Sequence, residues 1–193
     1  MDRVATIVHP HVEPWEFEAL QDNAGWSMGI ELIAGEAVVV TPEGGASSAA
    51  RGELHVALRR WQEDTGDEGL VLQDVFVAFP DGSRPAPDIS WWSAERRSPV
   101  SRGAMQSIPD LVVEVLSPST RANDLGVKRE LYMDSGVSEL WLVDPDASTI
   151  TRVLADPGRS VNAGQDEVLG QDDSLRSDLL PGFTLELARV FRH

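Results

Sequence analysis

The 193-residue sequence contains no cysteine, and none of its apolar runs approaches the ~20 residues that a membrane-spanning helix needs. Without cysteine there are no disulfides and no thiolate metal sites. The first residues, Met1-Asp2-Arg3, also lack the basic and apolar regions of a secretory signal peptide. Together these absences predict a soluble, cytoplasmic protein that does not contact a membrane.

Basic residues are scarce. Sixteen lysines and arginines stand against 32 aspartates and glutamates, which gives a formal net charge of −16. Such a charge repels nucleic acid at long range, and it counts against nucleic acid as a partner without excluding it. Charge can nevertheless be local, and one segment concentrates the cations Arg96, Arg97, Arg102, Arg121, Lys128 and Arg129. We expect any basic surface to come from this segment.

Motifs of several common enzyme classes are missing as well. The sequence has no glycine-rich phosphate loop of the Walker or dinucleotide-binding type. Leu116-Ser117-Pro118 lacks the flanking glycines of a serine hydrolase nucleophile elbow. His55 falls in a predicted helix whose neighbours serve the core, and there is no histidine cluster that would bind zinc. We therefore expect neither a zinc site nor an organic cofactor.

Apolar periodicity predicts an α/β chain, and the length suits a single domain. We place its core at about residues 13–155 and a C-terminal β extension at about 156–191. The predicted helices cover residues 13–20, 48–63 and 121–135. The predicted strands cover residues 30–33, 37–40, 71–79, 89–92, 111–116, 139–143 and 150–154, with a last apolar segment at 183–187. The strands at 111–116 and 139–143 flank one helix, so they should be parallel neighbours.

Glu114 is the one charged side chain in the apolar run 111–116. Burying a carboxylate is costly unless it is paired or holds a metal ion. On a strand, Glu114 shares a face with Val112 and Leu116, while the other apolar residues of the run point the opposite way. If the helix that follows faces the C-terminal end of this strand, the ammonium of Lys128 on that helix can approach the Glu114 carboxylate.

That helix carries Asp124, Lys128 and Tyr132 at intervals of four, which places them on one polar stripe. Asp88 follows a proline just ahead of the strand at 89–92. A hard cation such as Mg²⁺ keeps several waters, so two carboxylates suffice to hold it. A lysine beside it can orient the attacking water or stabilise the transition state. Two carboxylates and a lysine thus predict a metal-dependent phosphodiesterase site.

Simpler interpretations of these residues remain open. Glu114 could be a structural buried acid that pairs with Arg121 or Lys128, and Asp88 could be an ordinary turn residue. Lys128 taken alone is typical of a solvated helix lysine. Its spacing from Asp124 is that of a common surface ion pair, which contributes only a few tenths of a kcal/mol. The order and spacing of these residues together favour the metal site.

The run Pro-Asp-Leu-Val-Val-Glu-Val-Leu-Ser-Pro-Ser-Thr at 109–120 resembles the signature of the Uma-type endonuclease family, which belongs to the PD-(D/E)XK nuclease superfamily. The resemblance continues through Asp124, Lys128, Tyr132 and the segment 136–145. Earlier matches are residues 31–36 and Pro87-Asp88, and a late one is 180–183. The resemblance spans residues 13–191.

The resemblance implies a restriction-endonuclease-like core, a mixed β-sheet flanked by helices in αβββαβ order, with an extra C-terminal β-hairpin. It implies Asp88 and Glu114 as ligands of Mg²⁺ or Mn²⁺, and Glu31 as a further metal or water contact. The lysine of the superfamily normally follows the second acid by two residues, where this chain has Leu116. Lys128 on the next helix is then its replacement. DNA as substrate and a homodimer are implied as well.

One departure from the family concerns a histidine near the start of its first long helix. This chain has Ser-Ser-Ala-Ala at 47–50. The hypothesis is a Mg²⁺-dependent DNA endonuclease, with Asp88, Glu114, Lys128 and Glu31 as its site. A catalytically weak or inactive nuclease-fold binding or regulatory module is the alternative that the net charge and the missing histidine motivate. A third possibility keeps the metal and changes the substrate to RNA or a small phosphoester.

Overall fold

The computed structural model describes residues 7–24, 29–40, 44–100, 102–118, 120–155 and 166–192. Residues 156–165, where the predicted C-terminal extension begins, lie outside the described residues, as do Met1-Asp2-Arg3 and Ser119. The helices are α1 (Pro14–Ala24), α2 (Gly45–Thr65), α3 (Arg121–Leu125), α4 (Val127–Asp134) and a final 3-10 helix (Leu187–Arg189). The strands are β1 (Ile7–Pro10), β2 (Gly29–Ile33), β3 (Glu36–Val40), β4 (Leu70–Gln73), β5 (Ile89–Trp92), β6 (Leu111–Val115), β7 (Glu139–Asp144), β8 (Thr149–Leu154), β9 (Glu167–Gly170), β10 (Ser174–Arg176) and β11 (Thr184–Glu186).

A six-stranded mixed sheet with the order β4-β5-β6-β7-β8-β9 forms the centre of the molecule. Strands β6 and β7 pair in parallel, whereas the other neighbouring pairs in this sheet are antiparallel. The parallel pair follows from the helical connection through α3 and α4, because such a crossover returns the chain in the same direction. Helix α2, strands β4–β6, helices α3 and α4, and strand β7 reproduce the predicted αβββαβ order.

Strand β6 is buried on both faces, and its side chains alternate between two cores. Leu111, Val113 and Val115 pack in the core that contains residues of α2. Val112 and Leu116 pack in the core that contains Tyr132 of α4. The period of two therefore directs Glu114 to the α4 side, and this confirms the predicted distribution of side chains on this strand.

Two smaller sheets flank the central one. Strands β1, β3 and β2 form an antiparallel sheet, and the turn between β2 and β3 uses positive φ angles at Ala34 and Gly35. This turn chemistry suits a tight hairpin. Leu32 and Arg84 exchange backbone hydrogen bonds of 3.4 and 2.7 Å, so β2 lies against the loop that precedes β5. Near the C-terminus, β10 and β11 form a two-stranded antiparallel sheet.

The strand predicted at 71–79 was too long, because β4 ends at Gln73. Asp74 adopts a φ of +50°, which turns the chain out of the sheet. Beyond it, Val77 and Phe79 are buried in the same core as Tyr132. Their alternation thus reflects a loop that packs on the face of the sheet and not a strand within it.

The helix predicted at 121–135 is interrupted at Gly126, which separates α3 from α4. A Cβ atom at this position would lie 2.9 Å from the carbonyl oxygen of Ala122, so the close approach requires glycine. Gly136, with a φ of +90°, follows the end of α4, where a left-handed glycine commonly terminates a helix. No helix in the described part of the chain is long and apolar enough to span a bilayer.

Candidate active site

The candidate site lies where several strands of the central sheet end together. Because β5 runs antiparallel to both β4 and β6, the start of β5 meets the ends of its two neighbours. Asp88 stands at the start of β5, and its Oδ2 accepts a 2.6 Å hydrogen bond from the Val115 N–H on β6. This bond fixes the Asp88 carboxylate beside the residue that follows Glu114 in the chain.

Lys128 is buried at the centre of this site, with only 4% of its surface exposed. Its Nζ lies 2.9 Å from Oε2 of Glu31, 3.3 Å from Oε1 of Glu114 and 3.4 Å from Oδ1 of Asp124. All three acids are buried as well. The structure therefore gathers Glu31, Glu114 and Lys128, which were predicted as site residues, and places Asp124 of the predicted polar stripe beside them.

The structure agrees with the simpler interpretation of Glu114, which is a buried acid paired with Lys128, but not with that of Lys128 as a solvated lysine. Lys128 is not solvated, and its pair with Asp124 lies in the interior and not on the surface. Of the two cations considered as partners of Glu114, Lys128 forms the pair. Arg121 pairs with Asp144 instead, at 2.7 Å. Asp88 bridges β5 and β6 through its carboxylate, which is more than the role of a turn residue.

Negative charge exceeds positive charge in this cluster, because three carboxylates surround one ammonium. Burial, together with the neighbouring carboxylates, raises the pKa of Glu114 well above its ordinary value although Lys128 opposes the shift. Burial likewise raises the pKa of Asp124. Burial alone would lower the pKa of Lys128, but Glu114 and Glu31 outweigh it and raise that pKa well above normal. This shift in pKa favours the charged form of Lys128.

Glu139, another buried acid of the central sheet, shows how a purely structural carboxylate is satisfied. Its Oε1 accepts hydrogen bonds from Trp141 Nε1 at 2.6 Å and from Arg152 Nε at 2.8 Å. Its Oε2 accepts one from the Ser177 hydroxyl at 2.6 Å. Arg152 also pairs with Glu167, so two acids share one cation here, but both oxygens of Glu139 have hydrogen-bond donors.

Tyr132 is a contact of Glu114 that was not predicted as a site residue, although its place on the polar stripe offered a signal. Its hydroxyl donates a 2.5 Å hydrogen bond to Oε1 of Glu114, and its ring packs against Phe79 with the ring centres 5.4 Å apart. Burial and the adjacent Glu114 charge raise the pKa of Tyr132 well above normal, so it remains a donor. Lys128 contacts the same oxygen of Glu114. Within the described residues, both side-chain donors to Glu114 therefore converge on Oε1.

Tyr132→Phe should lower the free energy of unfolding by about 1.5–3 kcal/mol, the usual contribution of a hydrogen bond to a charged group. The ring remains packed against Phe79, so the loss measures the hydroxyl alone. Urea unfolding followed by tryptophan fluorescence measures this difference. A loss below about 0.5 kcal/mol would contradict the bond to Glu114.

Asp88 lies on the solvent side of the cluster, with 20% of its side chain exposed. Arg51 of α2 approaches it, with NH1 lying 3.5 Å from Asp88 Oδ1 and 2.6 Å from Asp74 Oδ1. Burial raises the pKa of Asp74, and the Arg51 guanidinium opposes that shift. Ser47, in the segment 47–50 where the family carries a histidine, donates a 3.4 Å hydrogen bond to the Leu116 carbonyl. The first turn of α2 is thus next to the end of β6.

Several of the cations in the segment 96–129 are neutralised by acids. Arg96 pairs with Asp110, which precedes β6 and so lies at the opposite end of this strand from Glu114. Arg129 pairs with Asp166 at 2.9 Å, and Arg121 with Asp144. The structure therefore does not gather these arginines into a basic surface at the site.

The donor set suits a hard divalent cation. The side chains at the site offer carboxylate oxygens, and their negative charge exceeds that of Lys128. No group of three or more His, Cys, Asp or Glu side chains among the described residues is arranged to hold an ion. Mg²⁺ commonly uses one or two carboxylates and completes its shell with water and substrate oxygens, so Asp88 and Glu114 match its requirements.

Comparison with known proteins shows the family and the fold that this chain resembles. The family model Uma2, described as "Putative restriction endonuclease", matches residues 14–188. The crystal structure of a "putative nuclease belonging to DUF820" from Anabaena variabilis is similar with a TM-score of 0.76 and 19% identity. That match covers 94% of this chain and 98% of the other. No curated protein matches the chain.

These comparisons confirm the resemblance that the run at 109–120 indicated. The similarity to the Anabaena protein shows a shared fold, in which a central mixed sheet is flanked by helices. Family and fold together support a nuclease of the restriction-endonuclease type. Because the family match extends over nearly the whole sequence, this chain belongs to the Uma2 family.

Proposed function

We propose that this protein is a Mg²⁺-dependent endonuclease that hydrolyses phosphodiester bonds in DNA. The observation that carries the proposal is the surplus of buried carboxylates around Lys128, next to the partly exposed Asp88. A buried surplus of negative charge is costly, and binding a divalent cation at its edge offsets that cost. Membership of the family and the fold supports the same class of activity.

Asp88 and Glu114 would hold the ion. A bound divalent cation activates water as a nucleophile and neutralises charge that develops on the phosphate. The Val115 N–H fixes Oδ2 of Asp88, while Tyr132 and Lys128 fix Oε1 of Glu114. Carboxylates that are held in this way need little reorganisation when they bind a ligand.

Lys128 and Glu31 would support these two ligands. Because its pKa is raised well above normal, Lys128 acts as a hydrogen-bond donor and a positive charge, and not as a general base. Oε1 of Glu31 accepts a 2.8 Å hydrogen bond from the Ala86 N–H, two residues before Asp88. Glu31 therefore connects the ammonium of Lys128 to the segment that carries Asp88, in addition to any contact with the ion.

Asp88→Asn is the decisive variant for this function. The amide retains an oxygen that can accept the Val115 N–H, so the fold should persist while the charge is lost. We expect Mg²⁺-dependent cleavage of plasmid and linear DNA by the wild type, and a fall of about 100-fold or more in the variant. Asp64→Asn, an exposed aspartate near the far end of α2, is the matched control and should cleave like the wild type.

Parallel assays separate this function from its alternatives. Cleavage of RNA or of a small phosphodiester, with none of DNA, would retain the metal site and replace the substrate. Wild-type protein that cleaves none of these substrates and binds no Mg²⁺ or Mn²⁺ would instead favour a non-catalytic nuclease-fold module. Equal cleavage by Asp88→Asn and the wild type would contradict the assignment of Asp88.

A further inference from the structure

Arg51 differs from the other charged groups of the site in its position. It projects from α2 toward Asp88 and Asp74, and 21% of its side chain is exposed. Glu31, Glu114 and Lys128 lie deeper, with side chains 6% exposed or less. A ligand that reaches the cluster from solvent past Asp88 would therefore meet Arg51 before it meets Lys128.

The ion pairs of Arg51 with Asp74 and Asp88 can be exchanged for contacts with a ligand. Its partner Asp74 has 59% of its side chain exposed, and ion pairs of this kind contribute about 0–1 kcal/mol. Its distance to Asp88 Oδ1 is 3.5 Å, which is an ion pair without the short contact of a strong hydrogen bond. A cation bound to Asp88 would compete for that oxygen and would repel the guanidinium.

A guanidinium released in this way has a chemistry that suits phosphate. Its planar fork presents several N–H donors at once and binds two oxygens of one phosphate, which an ammonium cannot do with the same geometry. Arg121 and Arg129 pair with Asp144 and Asp166, which are not proposed metal ligands, whereas Arg51 approaches Asp88. Arg51 is thus a cation at the exposed edge of the site whose partners can be replaced by substrate.

We propose that Arg51 binds the phosphate of the substrate beside the ion at Asp88, and that Asp74 holds the guanidinium in place until substrate arrives. This inference rests on the proposed nuclease function, since it assigns the phosphate contact of the same site. Arg51 would then be a residue that touches substrate and not merely one that positions Asp88.

Binding of the substrate phosphate and positioning of Asp88 are two roles for Arg51 that the Arg51→Met variant distinguishes. Methionine is a good helix former of similar length, so α2 should be retained. With Ca²⁺ replacing Mg²⁺ to prevent cleavage, fluorescence anisotropy of a labelled duplex oligonucleotide should show about 10- to 100-fold weaker binding. Calorimetry with Mn²⁺ alone should show affinity that is unchanged or higher, because a competitor for Asp88 has been removed.

Three further variants complete the test. Arg59→Met removes an exposed arginine of the same helix that bonds to Gln62 and should change neither affinity. Arg51→Lys keeps the charge without the fork and should recover only part of the oligonucleotide affinity. Asp74→Asn removes the negative charge that holds the Arg51 guanidinium, and asparagine tolerates the positive φ found at this position. Its oligonucleotide affinity should equal or exceed that of the wild type.

Unchanged oligonucleotide binding by Arg51→Met would overturn the inference. So would a loss of Mn²⁺ affinity as large as the loss of oligonucleotide affinity, since that result would make Arg51 a positioning residue for Asp88. Wild-type protein that binds no Mn²⁺ would refute the proposed function itself and the Arg51 role with it. A failure confined to the Arg51 variants leaves the nuclease proposal intact.

Discussion

Lys128→Met should cost the protein about 3–5 kcal/mol of unfolding free energy, a large share of the ~5–15 kcal/mol that stabilises a typical domain. Removing the ammonium leaves Glu31, Glu114 and Asp124 facing one another without a cation in a buried environment. Each must then remain charged at a high desolvation cost or bind a proton. Urea unfolding at neutral pH measures the loss.

Arg129→Met is a close control, because the substitution affects the next residue of the same helix. The Arg129 guanidinium pairs with Asp166 near the surface, so we expect a loss of at most ~1 kcal/mol. Adding Asp124→Asn to Lys128→Met should recover part of the stability, since it removes one of the uncompensated charges. If Lys128→Met were no less stable than Arg129→Met, the ammonium could not lie among the three acids.

Glu114→Gln should change stability and metal affinity in opposite directions. The amide oxygen can still accept hydrogen bonds from Tyr132 and Lys128, and Lys128 retains Glu31 and Asp124 as partners. One surplus buried charge disappears, so we expect the variant to be more stable at neutral pH by roughly 1–2 kcal/mol. Loss of a metal ligand should abolish Mn²⁺ and Mg²⁺ binding measured by calorimetry.

The pH dependence of stability provides a second measurement on this variant. Burial and nearby charges raise the pKa of Glu114 in the folded state, so the folded protein holds a proton that the unfolded chain releases. Wild-type stability contributed by this group is therefore present below the ordinary glutamate pKa and is lost as pH rises through the raised value. Glutamine does not titrate, so the advantage of the variant should grow over that interval.

Glu130→Gln is the control for both measurements, because Glu130 is an exposed acid on the same helix as Lys128. It should bind metal like the wild type and follow the wild-type dependence on pH. Mn²⁺ affinity that survives in Glu114→Gln would exclude Glu114 as a ligand. A variant less stable than the wild type at neutral pH would show that the pair with Lys128 outweighs the charge surplus.

The central part of the fold could be predicted because its signals are local. Alternation along β6 assigned Glu114 to a face, and a helical interval of four brought Asp124, Lys128 and Tyr132 to one stripe. Both patterns survived the break at Gly126, since the Asp124–Lys128 contact still forms across it. The direction of β7 followed from the connection through the helices.

Contacts between distant segments could not be predicted in the same way. Glu31 and Lys128 are 97 residues apart, and only the family resemblance pointed to Glu31. Arg51 lies among the polar residues of an amphipathic helix, as Arg59 does, and nothing local distinguishes the two. The neutralisation of Arg129 could not be predicted for a related reason, because its partner Asp166 is 37 residues away in the sequence.

Lys128 is also the only lysine among the 193 residues, since the remaining 15 of the 16 basic residues are arginines. Reagents that acylate side-chain amines therefore have one target, and that target is enclosed by carboxylates in the interior. Acylation at this nitrogen requires the cluster to open and the ammonium to lose a proton. The rate of modification at Lys128, followed by mass spectrometry, thus reports the opening of the site without interference from surface lysines.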